Sequence, residues 1–198
     1  TRIDQKAFSC CFQLTSLTLP SGLTAIESGT FDLCKSLTTI DIPDSVAAIA
    51  DDAFVGCKAL QSFTLSPNHP YFFLADDALC RTADNTLLFY PNAREDRTFR
   101  IPDGIAAISA YAFYDCDLLE SVVIPDSITQ IPERAFYGCS ALASVSLPDS
   151  LTEIGIAAFS FCAALTDIRI PASITEISAG LFSGCSSLAT LEIPDSVT

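Results

Sequence analysis

The 198-residue chain has no methionine, no tryptophan and a single histidine. One imidazole leaves little room for acid–base or nucleophilic catalysis, since any Cys-His or Ser-His pair would have to use His69. That residue stands in Pro67-Asn68-His69-Pro70, which reads as a solvated loop without a glycine-rich elbow. Phosphate-cradling motifs are absent too, and the chain reads as non-enzymatic, with no cofactor. Basic residues are scarce: 10 Lys and Arg stand against 24 Asp and Glu, a net charge of −14. Such a surface repels phosphate backbones and anionic lipid, which argues against nucleic-acid and membrane-surface partners. No apolar run approaches the roughly 18 to 20 residues that span a bilayer. There is no secretory leader pattern. With no initiating methionine and in-register repeats at both ends, the chain is expected to be a piece of a longer protein.

What is present is a repeat. Phe precedes Cys by three residues at Phe8/Cys11, Phe31/Cys34, Phe54/Cys57, Phe113/Cys116, Phe136/Cys139, Phe159/Cys162 and Phe182/Cys185. Successive pairs are 23 residues apart, except across one interruption. Self-similarity of this period marks a solenoid, whose short units bury their apolar faces only by stacking. In the unit beginning at Ile131, the apolar residues Ile131, Ala135, Phe136 and Cys139 are spaced for one face of a short helical turn. Val145 and Leu147 then alternate with Ser146 as a strand does. Pro148 closes that strand, and Asp149-Ser150-Leu151-Thr152 forms a turn. Stacked strands give a parallel sheet on one side, with the helical turns on the other.

The pattern Ile-x-x-x-Ala-Phe-x-x-Cys-x-x-Leu-x-x-Leu-x-Leu-Pro-x-Ser-Leu-Thr resembles the BspA-like, Treponema-type leucine-rich repeats. The resemblance implies a right-handed leucine-rich-repeat solenoid of 23-residue coils. It also implies a cell-surface or secreted microbial protein, active in adhesion or host interaction through a protein or glycan ligand. A structural spacer and an intracellular interaction scaffold are the alternative readings.

The chain is read as one solenoid, with coils over 1–66 and 102–198 and a hairpin-containing insertion over 67–101. Within the insertion, the apolar runs 71–81 and 87–91 flank an Asp-Asn turn and are expected to pair as a β-hairpin. The segment 71–100 holds four of the ten basic residues and carries a net of −1. Arg and aromatic residues are enriched at interface hot spots. Arg81, Tyr90, Arg97 and Arg100 are therefore the candidate exposed partner contacts, with capping of the hairpin's core the equal alternative for Tyr90.

Nine cysteines invite a disulfide or metal reading. Seven of them share one step of the repeat, so a ladder of buried thiols is expected, and there is no Cys-x-x-Cys for zinc. Cys10 and Cys80 lie off the ladder and are the expected reactive thiols. Asp44, Asp103, Asp126, Asp149 and Asp195 recur after the strand-ending Pro and are read as turn residues.

Overall fold

The structure, a computed structural model, describes residues 2–198. It is a β-solenoid of coils of roughly 23 residues. In chain order, the strands among the described residues are β1 (Ala25–Ile26), β2 (Thr39–Asp41), β3 (Ala48–Ile49), β4 (Ser62–Thr64), β5 (Phe72–Ala75), β6 (Ala78–Arg81) and β7 (Thr86–Phe89). They continue with β8 (Thr98–Arg100), β9 (Ala107–Ile108), β10 (Ser121–Val123), β11 (Gln130–Ile131), β12 (Ser144–Ser146) and β13 (Glu153–Ile154).

Two parallel ladders run along the molecule. The expected one joins β2 to β4 and, separately, β8 to β10 to β12, in a register one coil apart (Thr98↔Ser121↔Ser144). A second, unexpected ladder pairs the two-residue strands β1 with β3 and β11 with β13. Its strands end at the repeat's Ile, the position the sequence pattern places at the head of a helical turn.

Those helical turns do not form: no helix occurs among the described residues. In six coils the backbone takes positive φ twice, four residues apart, as at Tyr111 and Asp115 or Arg134 and Gly138. Left-handed residues cannot continue an α-helix. Tight turns result instead, such as Cys139 N to Phe136 O at 3.4 Å. Alternate amides then bond to the next coil: Phe113 N donates to Ala135 O and Asp115 N to Tyr137 O, both at 2.8 Å. The spacing that looked helical is the spacing of consecutive turns.

The Phe side chains form the core's spine. Ring centroids stand 5.3 Å apart for Phe31–Phe54, 4.7 Å for Phe113–Phe136 and 5.3 Å for Phe136–Phe159. The buried ladder thiols donate to the carbonyl of the preceding coil's spine ring, at 3.1 Å for Cys57 to Phe31 O and 3.0 Å for Cys139 to Phe113 O; for Cys116 the acceptor is Tyr90 O. The Phe-x-x-Cys signature thus joins a stacking group to a thiol that ties one coil to its neighbour. Burial pushes the Cys57 thiol up to about 12. Cys11 departs from the expected ladder: it is exposed, because its unit has no neighbour on that side among the described residues.

The insertion differs from the expected single hairpin. Its first apolar run folds on itself, β5 pairing antiparallel with β6 across Asp76-Asp77. Both turn residues have positive φ, 48° and 62°, the conformation of a two-residue type I′ turn. β6 pairs antiparallel with β7, and β7 runs parallel to β9. The layer is buried on both faces. Leu79, Leu88 and Phe89 enter the core of the preceding coils, while Ala78, Cys80, Leu87 and Tyr90 enter the core of the following ones. Cys80, expected to be reactive, is fully buried and burial raises its thiol to about 12.

Candidate interaction surfaces

The first ladder presents alternate side chains outward because each of its strands buries only its central residue. Thr39, Asp41, Thr64, Thr98, Arg100, Ser144 and Ser146 are exposed, while Ile40, Phe63, Phe99 and Val145 are buried. Neighbouring coils exchange hydrogen bonds along these rows, from Ser62 Oγ to Thr39 Oγ1 at 3.2 Å and from Thr64 Oγ1 to Asp41 at 2.8 Å. Short hydroxyls suit this spacing. Two strand edges stay open where the insertion interrupts the ladder, since β4 pairs only with β2 and β8 only with β10.

Three of the four sequence-selected contacts reach solvent. Arg97 pairs with Glu120 of the next coil at 2.5 Å and Arg100 with Asp103 at 2.9 Å, all four side chains being largely exposed. Arg81 grips Asp84 through Nε and Nη2 at 3.0 and 2.8 Å. That hydrogen bond is the main reason the Asp84 carboxyl falls to about 2. Exposed ion pairs of this kind contribute little to stability, so their guanidiniums are free to exchange partners.

Tyr90 corrects the expectation of exposure. Its side chain is only 3% exposed, and its hydroxyl has no hydrogen-bond partner. The residue takes the place of the repeat Phe: its amide donates to Ala112 O at 2.8 Å, and its ring stacks on Phe113 at 5.3 Å. Thr98–Arg100 lies one 23-residue step before Ser121–Val123, so a complete coil runs through the second half of the insertion. The signal was available in the 23-residue step from Tyr90 to Phe113. It was hidden because Ala93 and Asp96 stand where Cys and Leu belong.

Arg94, passed over in the sequence, closes this layer. Its guanidinium lies 5.7 Å from the Tyr90 ring centroid and 5.9 Å from that of Phe99. It donates to Asp76 O and pairs with Asp96 at 2.6 Å, which anchors the β5–β6 turn. His69 is likewise no solvated loop residue. It is buried, with Nε2 3.1 Å from Pro43 O, while Nδ1 accepts from the amides of Tyr71 and Phe72 at 3.3 and 3.2 Å. An imidazole so engaged supports the start of β5.

The recurring aspartates sit on the turns after the strand-ending prolines. Asp44 accepts from Ser66 at 2.6 Å, and Asp149 pairs with Arg169 at 2.9 Å. The Ser that follows four of the five, all but Asp103, does the inter-coil work, as in Ser127 Oγ to Ile105 O at 2.7 Å and Ser196 Oγ to Ile174 O at 2.6 Å. Among the described residues, no group of three or more His, Cys, Asp or Glu is placed to hold a metal ion. Nor do the described residues contain a helix long and apolar enough to cross a membrane.

Comparison with known proteins agrees with this geometry. The family described as "BspA type Leucine rich repeat region" matches in six copies over residues 1–74 and 89–198. The chain is similar to the crystal structure of a leucine rich cell surface protein from Faecalibacterium prausnitzii, with 32% identity and a TM-score of 0.70 over 92% of this chain and 60% of that one. A leucine-rich repeat protein from Eubacterium ventriosum is 20% identical, with a TM-score of 0.60 over 91% of this chain and 61% of that one. The pneumococcal vaccine antigen PcpA is 18% identical, with a TM-score of 0.71 over 89% of this chain and 53% of that one; these last two likenesses concern the fold alone. The chain thus spans about 60% of the length of the first two. No curated protein matches it.

Proposed function

Because the chain belongs to the BspA-type leucine-rich repeat family, a protein-interaction fold, we propose that it is a ligand-binding stretch of a cell-surface or secreted microbial protein. Its ligand is a protein or glycan of a host or neighbouring microbe, and its role is adhesion. Likeness to a leucine rich cell surface protein supports the location. The observation that carries the binding site is the exposed guanidinium pair Arg97 and Arg100 beside the break in the strand ladder, with the part-exposed Arg81 at the β6–β7 turn of the same insertion. It stands on a segment of net charge −1 in a chain of −14, so an anionic ligand repelled elsewhere approaches here.

The test is a triple Arg81→Ala, Arg97→Ala, Arg100→Ala variant, compared with the parent on arrays of extracellular-matrix proteins and glycans. Circular dichroism and melting confirm that both are folded. Loss of binding in the variant supports the site. Undiminished binding moves it away from the arginines, and binding by neither protein favours a spacer role.

A further inference from the structure

On the turns of the coils that follow the hairpin, large apolar side chains are held outward by backbone that such residues rarely adopt. Phe161 has φ 60° and is 50% exposed; Tyr111 has φ 62°. A bulky residue in this region is an outlier that the fold must hold in place, and such outliers cluster at functional positions. The chain itself shows the unstrained solution, since Gly56, Gly138 and Gly184 occupy the same step of their coils as Phe161. Beneath Phe161 lies Gly184, where an added Cβ would come within 2.6 Å of the Phe161 ring. The ring is therefore seated over a glycine, exposed, with no core to fill.

Its neighbours extend the patch. Tyr137 meets Phe161 edge-on at 5.3 Å and stacks on Tyr114 at 4.9 Å. Arg134 lies 5.9 Å from the centroid of Tyr111 and bonds its hydroxyl at 3.1 Å. Ile156, whose carbonyl accepts from the Arg134 amide, is 51% exposed. Tyr, Arg and other aromatic residues are the types that carry binding energy at protein interfaces. The surroundings are acidic: residues 105–185 contain nine acidic side chains and two arginines, and with Lys58 on Asp115 and Asp117 and Arg97 on Glu120 counted the net is −5. Both arginines are already paired, Arg134 with Glu133 at 2.8 Å and Arg169 with Asp149 at 2.9 Å.

We propose that the patch of Tyr111, Tyr114, Tyr137, Ile156 and Phe161 on the turn side docks a second protein partner, one that presents Lys or Arg next to apolar side chains. Charge complementarity selects the cationic partner, because an acidic surface meets a net negative field here. This site goes beyond the arginines Arg81, Arg97 and Arg100 and does not depend on them.

Phe161→Gly and Ile156→Ser remove the apolar surface, the first by installing the residue the fold uses elsewhere at this step. The probes are two synthetic peptides of equal positive charge, one with three Arg and two Leu, the other with Gly in place of Leu. We expect the parent protein to bind the Leu peptide at least 5-fold more tightly, the double variant to lose that preference, and Phe161→Gly alone to leave the melting midpoint unchanged or higher. Peptide-induced NMR shifts should map to Tyr114 and Tyr137. The Arg81, Arg97, Arg100 triple variant should keep the preference. No preference in the parent, a preference that survives the double variant or is lost in the triple variant, or a fall in the midpoint with Phe161→Gly would each overturn the proposal.

Discussion

A regular coil and the hairpin layer meet the same requirement, burial of apolar surface against both neighbours, by different means. In a regular coil one Phe serves both sides, stacking on the ring before and the ring after, and one thiol bonds back to the previous coil. The hairpin layer splits the task between the two faces of a sheet. Leu79 and Leu88 turn toward the earlier coils, and Leu87 and Cys80 toward the later ones. Strand alternation makes this division possible, and a register shift between Leu79 and Cys80 lets Leu88 and Phe89 serve the same side. Repetition therefore needs only one good stacking residue per unit. An interruption needs two complementary faces.

The comparison breaks most visibly at the spine. Phe136→Ala in a fully buried mid-array ring should cost about 3 to 5 kcal/mol in chemical denaturation. Phe8→Ala should cost clearly less, since Phe8 is half-buried and stacks on one ring only, Phe31 at 5.6 Å. Equal losses would contradict a nearest-neighbour array.

Next come the two faces of the hairpin layer. Leu79→Ala and Leu87→Ala should each cost about 2 to 4 kcal/mol, as Leu-to-Ala changes in cores do. Hydrogen exchange should locate the damage differently, Leu79→Ala loosening the coils before the layer and Leu87→Ala those after it. Identical exchange patterns would show that the layer does not divide the core.

The smallest effect has the opposite sign. Tyr90→Phe restores the repeat residue and removes a buried hydroxyl with no partner, a group that costs about 1 to 3 kcal/mol when left unsatisfied. The variant should be more stable by about 1 kcal/mol. A loss of stability would mean that the hydroxyl is satisfied in solution.

How much was legible follows from which interactions are local. The spine, the thiol ladder and the strands before each Pro were readable because the same residues recur every 23 positions. The turn geometry was not, since Ile, Ala, Phe and Cys at these offsets fit a helix face as well as a run of turns. Left-handed φ at Leu33, Tyr111 and Phe161 has no sequence marker, because side chains rather than glycine occupy those steps. Of the candidate contacts, the three arginines were selected by charge and do lie at the surface. Tyr90 was selected by type and lies in the core. The aromatic patch on the turn side escaped because Tyr111, the Tyr114–Tyr137 pair and Phe161 stand at three different steps of their coils, and only stacking brings them together.

By itself the sequence determined that the chain coils, how long each coil is, and which residue of each faces its neighbours, because a strict period leaves one way to align apolar groups. Tertiary structure alone decided what the exceptions do. Tyr90, His69 and Arg94 acquire their roles from groups that folding brings beside them, the Phe113 ring, Pro43 O and Asp76 O, and whether Phe161 is core or surface depends on the glycine stacked beneath it in the next coil. Periodicity is a property of the chain, whereas burial at a break in the period depends on which coil arrives beside it.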